Sequence, residues 1–363
     1  MANPSVNKNL YVVLMAGGVG IRFWPYSRNG KPKQFLDVLG IGKTLLQSAY
    51  ERFLPLCPKE NIFIVTHDEH AAITREQIPG LAEEQLLAEP MRKNTAPCIA
   101  YASYKIARKN KDAVIVVSPS DHLILDEEEF QSTVAKSVEQ ARSNDKLITL
   151  GIKPVRPETG YGYIQFLEGK SPLKKVKTFT EKPELSLAKK FVESGDFVWN
   201  AGIFIWGVQA ILSAFAQYMP EMTEVFEELE PKLYTTGEKA AIETAYGQCK
   251  SISIDYGIME KADNVFVWLS RFSWSDLGSW NSLYDTSQKD SNNNAITADA
   301  VVYDTRNSII KGPDDKLIVA QGLNGYLIGV FDNVVIVCEK DKEEFFRRVV
   351  NDLKSKPNGT DFL

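Results

Sequence analysis

The sequence predicts an α/β fold, a mainly parallel sheet layered with helices, that passes near residue 290 into a small all-β unit. Three observations predict it. Short β-rich runs alternate with helical patterns through the first half of the chain. A polar linker follows at 288–294, and beyond it short strand-like runs recur at nearly even spacing. Alternation of the first kind builds parallel sheets covered on both faces.

The elements follow in order. Runs at 10–16, 61–66 and 113–118 read as buried strands, each followed by a helix candidate, at 44–54, 68–78 and Glu127–Arg142. A further helix, Thr95–Lys109, lies between a short strand at 85–88 and the 113 strand. From about Gly151 the pattern changes to strands at 161–167 and 176–179, a Pro-preceded helix at 184–194, a strand at 198–206 and an acidic helical stretch at 209–245. The linker divides the chain into 1–287 and 295–363. The second part carries runs at 300–304, 308–311, 317–320, 326–331 and 334–338, which suit a short solenoid without a strict repeat. A closing helix at 341–353 has Asp341 as its expected N-cap.

Composition narrows the function. The 363 residues carry 42 Lys plus Arg against 47 Asp plus Glu, a formal charge of −5, with 44% hydrophobic and 25% charged residues. Mild acidity argues against a general nucleic-acid binder, and no apolar run approaches the ~20 residues that span a bilayer. The apolar run before Gly17 leads into a Gly-rich, Arg-bearing stretch rather than a small-residue cleavage site, so it is not read as a signal peptide. Cys57, Cys98, Cys249 and Cys338 are scattered without a C-x-x-C, which fits a reduced, cytoplasmic setting.

Five stretches carry chemistry. In 14–35 a strand runs into Gly17, Gly18 and Gly20, with Arg22, Arg28, Lys31 and Lys33 close behind. Bare backbone N–H groups beside dense positive charge suit a phosphate; a plain glycine turn is the alternative. The dinucleotide fingerprint fails because Phe23 stands where its last Gly belongs, and a Walker A loop fails because Asp37 replaces its first. Around Glu89, Asn94 and Thr95 a polar turn opens a helix, either as a cap or as a reader of a purine edge. Asp121 follows a buried strand, where it is either a turn residue or a carboxylate for Mg²⁺. Its neighbour His122 packs or orients, and His67 with His70 lack the acidic or thiol support of a metal site. Gly162, Glu181, Lys182 and Asn200 stand amid strands and suit a hydroxyl-rich ligand, whereas Tyr161 and Trp199 read as core aromatics. Asp276 sits between Trp274 and Trp280, serving a metal or a helix cap that Ser279 would equally supply.

Taken in order, these motifs resemble the sugar nucleotidyltransferases, in particular the mannose-1-phosphate guanylyltransferases, over about residues 9–340. The resemblance implies a Rossmann-like nucleotidyltransferase domain with a mixed, mainly parallel sheet plus a small C-terminal β-helical segment. It also implies transfer of GMP from GTP to α-D-mannose 1-phosphate, giving GDP-mannose and pyrophosphate, with Mg²⁺ as cofactor. It implies that Gly17, Gly18 and Gly20 cradle the triphosphate, and that Arg22 and Lys33 act on its charge. Glu89, Asn94, Thr95 and Ala96 would read guanine. Gly162, Glu181 and Asn200 would hold the sugar, with Lys182 on its phosphate, and Asp121 and Asp276 would bind the metal. A single activity is expected, without the isomerase domain of longer relatives; a sibling using another sugar 1-phosphate and a non-catalytic regulatory homologue are the alternatives. Apolar Val301, Ile309, Ile318 and Val335 either dock a partner subunit, which would give a homodimer, or pack against the main domain.

Overall fold

The structure, a computed structural model, describes residues 6–18, 20–142 and 145–363. It forms two compact units that do not follow chain order. The first holds the residues up to Gly17 together with Ala49–Ser120 and Ile124–Trp274, and the second holds Gly18–Ser48, Asp121–Leu123 and Ser275–Leu363.

Strands in and beside the first unit are β1 (Leu10–Met15), β2 (Ile62–His67), β3 (Leu86–Glu89), β4 (Val114–Pro119) and a two-residue β5 (Leu123–Ile124). They continue with β6 (Leu147–Ile152), β7 (Gly162–Phe166), β8 (Leu173–Glu181), β9 (Phe197–Gly207), β10 (Val265–Ser270) and a two-residue β11 (Trp274–Ser275). Nine of them make one sheet, in the order β3-β2-β1-β4-β9-β6-β10-β8-β7. Only β8 and β9 run against the others, so the sheet is mixed and mainly parallel, as the sequence implies. Its two faces follow from strand alternation. Val13, Phe63, Ile115 and Val117 pack with Ile99 and Ile106 of the helix Thr95–Lys109. The alternate residues Val12, Leu14, Ile64 and Val116 are equally buried, so the opposite face is covered too.

Two strands of the nine-stranded sheet escape the sequence reading, β6 and β10, as do the two- and three-residue strands β5, β11 and β12. Gly151 in β6 weakens the strand signal, yet a Cβ there would lie 2.6 Å from both Val198 and Val267 side chains, so the close strand approach excludes one. The stretch 209–245 is not one helix but Val208–Tyr218, Pro220–Leu229 and the start of Glu238–Gln248. Pro220 has no N–H to donate to a continuing helix and starts the next one instead.

The second unit carries β12 (Ala295–Thr297), β13 (Asp299–Tyr303), β14 (Ile309–Lys311), β15 (Leu317–Gln321), β16 (Tyr326–Phe331) and β17 (Val334–Glu339). β12-β14-β16 and β13-β15 pair in parallel, the stacking of a short β-helix, and β17 closes it by folding back antiparallel on β16. The final helix is Glu343–Lys354, and Asp341 is not its N-cap. That position falls to Lys342, because the Asp341 carboxylate is taken by the Lys340 ammonium at 3.0 Å. The helix face of Phe346, Val350 and Leu353 packs into a core with Phe23, Trp24 and Trp280. Among the described residues no helix is long and apolar enough to cross a membrane.

Candidate functional site

Of the residues expected to meet the triphosphate, Gly18, Gly20, Arg22 and Lys33 lie in the second unit, whereas Gly17 belongs to the first. Gly20 stands at φ +62°, and a Cβ there would lie 2.8 Å from Ser27 Oγ and 3.0 Å from Lys33 Cβ. Only glycine permits this turn, which hands the chain into the helical turn Ile21–Phe23 and presents Arg22 half-buried. Gly20, Arg22, Lys33, Asp121, His122 and Asp276 line one cleft. Gly18 adjoins it, since a Cβ there would lie 3.9 Å from Asp121 Oδ2.

Lys33 is the hub of this cleft. Its ammonium donates to the Asp276 carbonyl at 2.7 Å and the Leu277 carbonyl at 3.0 Å, and pairs with Asp121 Oδ2 at 2.9 Å. Three N–H groups thus meet three protein acceptors in a side chain only 5% exposed. Burial pushes the Asp121 carboxyl up, but the charges of Lys33 and then His122 outweigh it and hold the group below the ordinary carboxylate range. Asp276 is not a helix cap: Ser279 caps Trp280–Thr286. Asp276 Oδ1 accepts from the Gly278 N–H at 2.8 Å, and Oδ2 fills the space that a Cβ on Gly278 would need. That glycine is what lets the carboxylate turn back over its own loop.

Two carboxylates from distant segments on one cleft are the donor set a small hard cation uses when phosphates and water complete its shell. Among the described residues no group of three or more His, Cys, Asp or Glu forms a self-contained cage. Asp121 and Asp276 therefore fit Mg²⁺ held jointly with a phosphorylated ligand.

Other candidates lie in the first unit. Glu89 is buried, its Oε1 accepting from Tyr246 Oη at 2.9 Å, and a Cβ on Gly17 would lie 3.6 Å from its Oε2. Burial raises the Glu89 carboxyl from 4.5 to about 7, against the opposing pull of the Tyr246 hydrogen bond and the Arg92 charge. Asn94 caps the helix, its Oδ1 accepting from the Thr95 N–H at 2.9 Å. Thr95 Oγ1 accepts from Ile254 N at 2.9 Å, and the Ala96 N–H is taken by the Ile252 carbonyl at 3.1 Å. This leaves the Asn94 amide N–H₂ and the Thr95 hydroxyl proton as donors for a ligand.

Gly162, Glu181 and Asn200 converge: a Cβ on Gly162 would lie 2.5 Å from Glu181 Oε2 and 3.3 Å from Asn200 Cβ. Asn200 Oδ1 accepts from Thr149 Oγ1 at 2.8 Å, and its amide donates to Asp255 Oδ1 at 3.0 Å. Lys182, largely exposed and at φ +47°, turns its ammonium to Glu181 Oε1 at 2.5 Å. Tyr161 packs edge-on against Trp199 and Trp274, and both Tyr161 and Trp199 are buried as expected of core aromatics.

No role for Asp255 or Arg347 is legible in the sequence. Asp255 opens a π-type turn, Asp255–Met259, whose period matches neither helix nor strand pattern. Arg347 lines the Arg22 cleft from the final helix, whose polar face reads as merely solvated. Burial, then the Glu181 charge, push the Asp255 carboxyl from 3.8 to about 7 against its backbone hydrogen bond, the Lys182 charge and the Asn200 hydrogen bond. A carboxyl that holds its proton more tightly when folded contributes stability that is complete below about pH 4 and is lost as pH rises through about 7. Asp255→Asn removes that loss. Urea unfolding is expected to show it pulling ahead of the wild type between pH 4 and 7, by an amount on the order of a few kcal/mol, with a constant gap above. Parallel stability curves would refute the shift.

The sequence profile of the nucleotidyl transferase family matches residues 11–293. The chain belongs to the nucleotidyl transferase family. It is 36% identical over 351 residues to the xanthan biosynthesis protein XanB of Xanthomonas campestris, across 94% of this chain and 73% of that one. It is 33% identical over 353 residues to a Klebsiella pneumoniae mannose-1-phosphate guanylyltransferase, across 95% and 74% respectively. It thus spans about three quarters of the length of these relatives. A crystal structure from Thermus thermophilus, described as a mannose-1-phosphate geranyltransferase, superposes with a TM-score of 0.87 at 32% identity, covering 95% of this chain and 99% of that one. The family read from the motifs is borne out.

Proposed function

We propose that this nucleotidyl transferase passes GMP from GTP to α-D-mannose 1-phosphate, releasing pyrophosphate and forming GDP-mannose. The observation that carries the reading is the convergence of Arg22, Lys33, Asp121 and Asp276 on one cleft beside the Gly20 turn. Relatives named for mannose-1-phosphate guanylyltransferase activity support the choice of sugar and base.

The attacking phosphate monoester has a second pKa of ~6 and is already an anion near neutrality. No general base is required, and catalysis rests on positioning and on stabilising charge at the α-phosphorus. Gly17, Gly18 and Gly20 approach the triphosphate through bare backbone, and Arg22 balances the charge that builds on it. Asp121 and Asp276 would hold Mg²⁺, which when bound would supply charge neutralisation to the phosphates. Lys33 keeps Asp121 and the 276–277 carbonyls in place and adds its charge to the field around the phosphates. Glu89 and the free donors of Asn94 and Thr95 read guanine, with Ala96 fixing the turn through its N–H. Glu181 and Asn200 take mannose hydroxyls in the space that Gly162 leaves, and Lys182 swings from Glu181 to the sugar phosphate. Residues 1–287 carry most of the chemistry, and 295–363 serve assembly while contributing Arg347 to the cleft. Four free cysteines fit a reducing cytoplasm.

Assembly follows from the outer face of β13 and β15. Ile309 and Ile318 are buried inside the β-helix, whereas Val301, Tyr303, Leu317 and Val319 are exposed on adjacent, paired strands. A contiguous apolar sheet face of this kind is what a second copy of the chain covers. Val319→Glu is expected to convert a dimer to a monomer in light scattering with the fold retained; an unchanged mass would move the interface elsewhere.

The test of function is Mg²⁺-dependent pyrophosphate release across four nucleoside triphosphates and several sugar 1-phosphates. Release confined to GTP with mannose 1-phosphate is expected. A maximum at another pair would overturn the substrate, and silence in a protein that still binds GDP-mannose would overturn catalysis.

A further inference from the structure

The basic residues that follow the glycine loop do not share one cavity. Arg22 and Lys33 line the cleft described above, but Arg28 and Lys31 line a different cavity of about 440 Å³, together with Tyr26, Lys311, Phe331 and Asp332. Lys311 comes from the end of β14, far along the sequence, and none of the residues around this second cavity borders the Arg22 cleft.

Lys311 is the anomaly. Its side chain belongs to a residue only 7% exposed, yet among the described residues its ammonium makes no hydrogen bond or ion pair. It lies over the Tyr26 ring, 4.7 Å from the centroid, and feels the Asp37 carboxylate only through space. The aromatic face attracts the ammonium but supplies neither a hydrogen-bond acceptor nor a countercharge. Burial correspondingly lowers its proton affinity, with Asp37 opposing. Its cationic neighbours increase the imbalance. Arg28 donates to the Pro25 carbonyl at 3.2 Å and the Phe331 carbonyl at 3.3 Å, and its nearest carboxylate, Asp332, is 3.8 Å away and open to solvent. Lys31 is exposed at the rim.

We infer that this cavity is a second anion-binding site, built for orthophosphate or the phosphate of a small phosphomonoester and separate from the triphosphate cleft. An anion there gives the Lys311 ammonium its missing partner and neutralises the Arg28–Lys31 pair, and the cavity is large enough for a small organic ester. Tyr26 and Ser27 donate their backbone N–H groups to the Phe23 carbonyl at 2.8 and 3.0 Å, so the loop that walls this site also carries Phe23 into the wall of the cleft. An occupant braces the segment that presents Arg22.

Titration calorimetry of the intact protein with orthophosphate, and separately with glycerol 3-phosphate, tests this. The wild type is expected to bind two equivalents of orthophosphate. Lys311→Met is expected to weaken one site at least tenfold, Lys31→Ala the same site by a few fold, and Arg22→Ala the other site only. Methionine keeps the apolar stem of Lys311 beside Tyr26 and removes only its charge, and Lys31→Ala is a surface change, so both lysine variants report on binding. Glycerol 3-phosphate lost with Lys311→Met would assign the site to phosphomonoesters, and orthophosphate alone would assign it to the free ion. A single equivalent that disappears with Arg22→Ala, or two that survive both lysine changes, would overturn the proposal.

Discussion

Asp276→Asn is expected to lower the rate of pyrophosphate release by about 10²–10³-fold while leaving stability to urea within ~0.5 kcal/mol of the wild type. The substitution is nearly isosteric. Its amide oxygen still accepts the Gly278 N–H that Asp276 Oδ1 accepts at 2.8 Å, so the loop before the helix Trp280–Thr286 keeps its turn. The backbone carbonyl that receives the Lys33 ammonium at 2.7 Å is untouched. Only the negative charge facing the cleft disappears. A carboxylate that serves phosphoryl transfer by holding Mg²⁺ loses its function with that charge, so the half-saturating Mg²⁺ concentration should rise as turnover falls. A normal rate at ordinary Mg²⁺ would remove Asp276 from the cation site and leave it as a turn residue.

How far the sequence reveals this site depends on what each residue does. Thr95–Lys109, Glu127–Arg142 and Tyr326–Phe331 have the ends that pattern and capping predict, because each is a single amphipathic or buried segment whose burial matches its own period. β6 is lost because Gly151 answers to the packing of Val198 and Val267 on neighbouring strands, a constraint with no local signature. Asp276 stands out in the sequence since a carboxylate between two tryptophans needs a reason. Asp255 does not, because its burial comes from the Asn200 and Glu181 strands rather than from its own neighbours. The division of Arg22 and Lys33 from Arg28 and Lys31 is equally invisible, for adjacent charges look like one patch until Lys311 and Asp121 are placed beside them.

Lys33→Met is expected to act on both stability and turnover, and the pairing of the two losses separates a positioning lysine from one that only touches phosphate. The ammonium holds three acceptors: two carbonyls of the 276–277 segment and the Asp121 carboxylate. Methionine fills much of the same volume but satisfies none of them. Two carbonyls lose their donor and Asp121 loses the charge that offsets its desolvation, a change that costs ~3 kcal/mol when one partner of a buried pair is removed. The Asp121 carboxyl should then rise out of its depressed range, since burial, the larger influence on it, is no longer outweighed. A carboxyl depressed in the folded state contributes stability above its unfolded value that is lost as pH falls, so the variant should lack the part of the wild type's acid sensitivity that Asp121 supplies. Turnover should fall with stability, because the same contacts align the carboxylates that Asp276→Asn leaves aligned. Unfolding curves at pH 7 and pH 4, beside rates measured well below the melting temperature, distinguish the two roles. A variant that loses rate but neither stability nor acid sensitivity would make Lys33 a direct phosphate ligand whose hold on Asp121 is incidental.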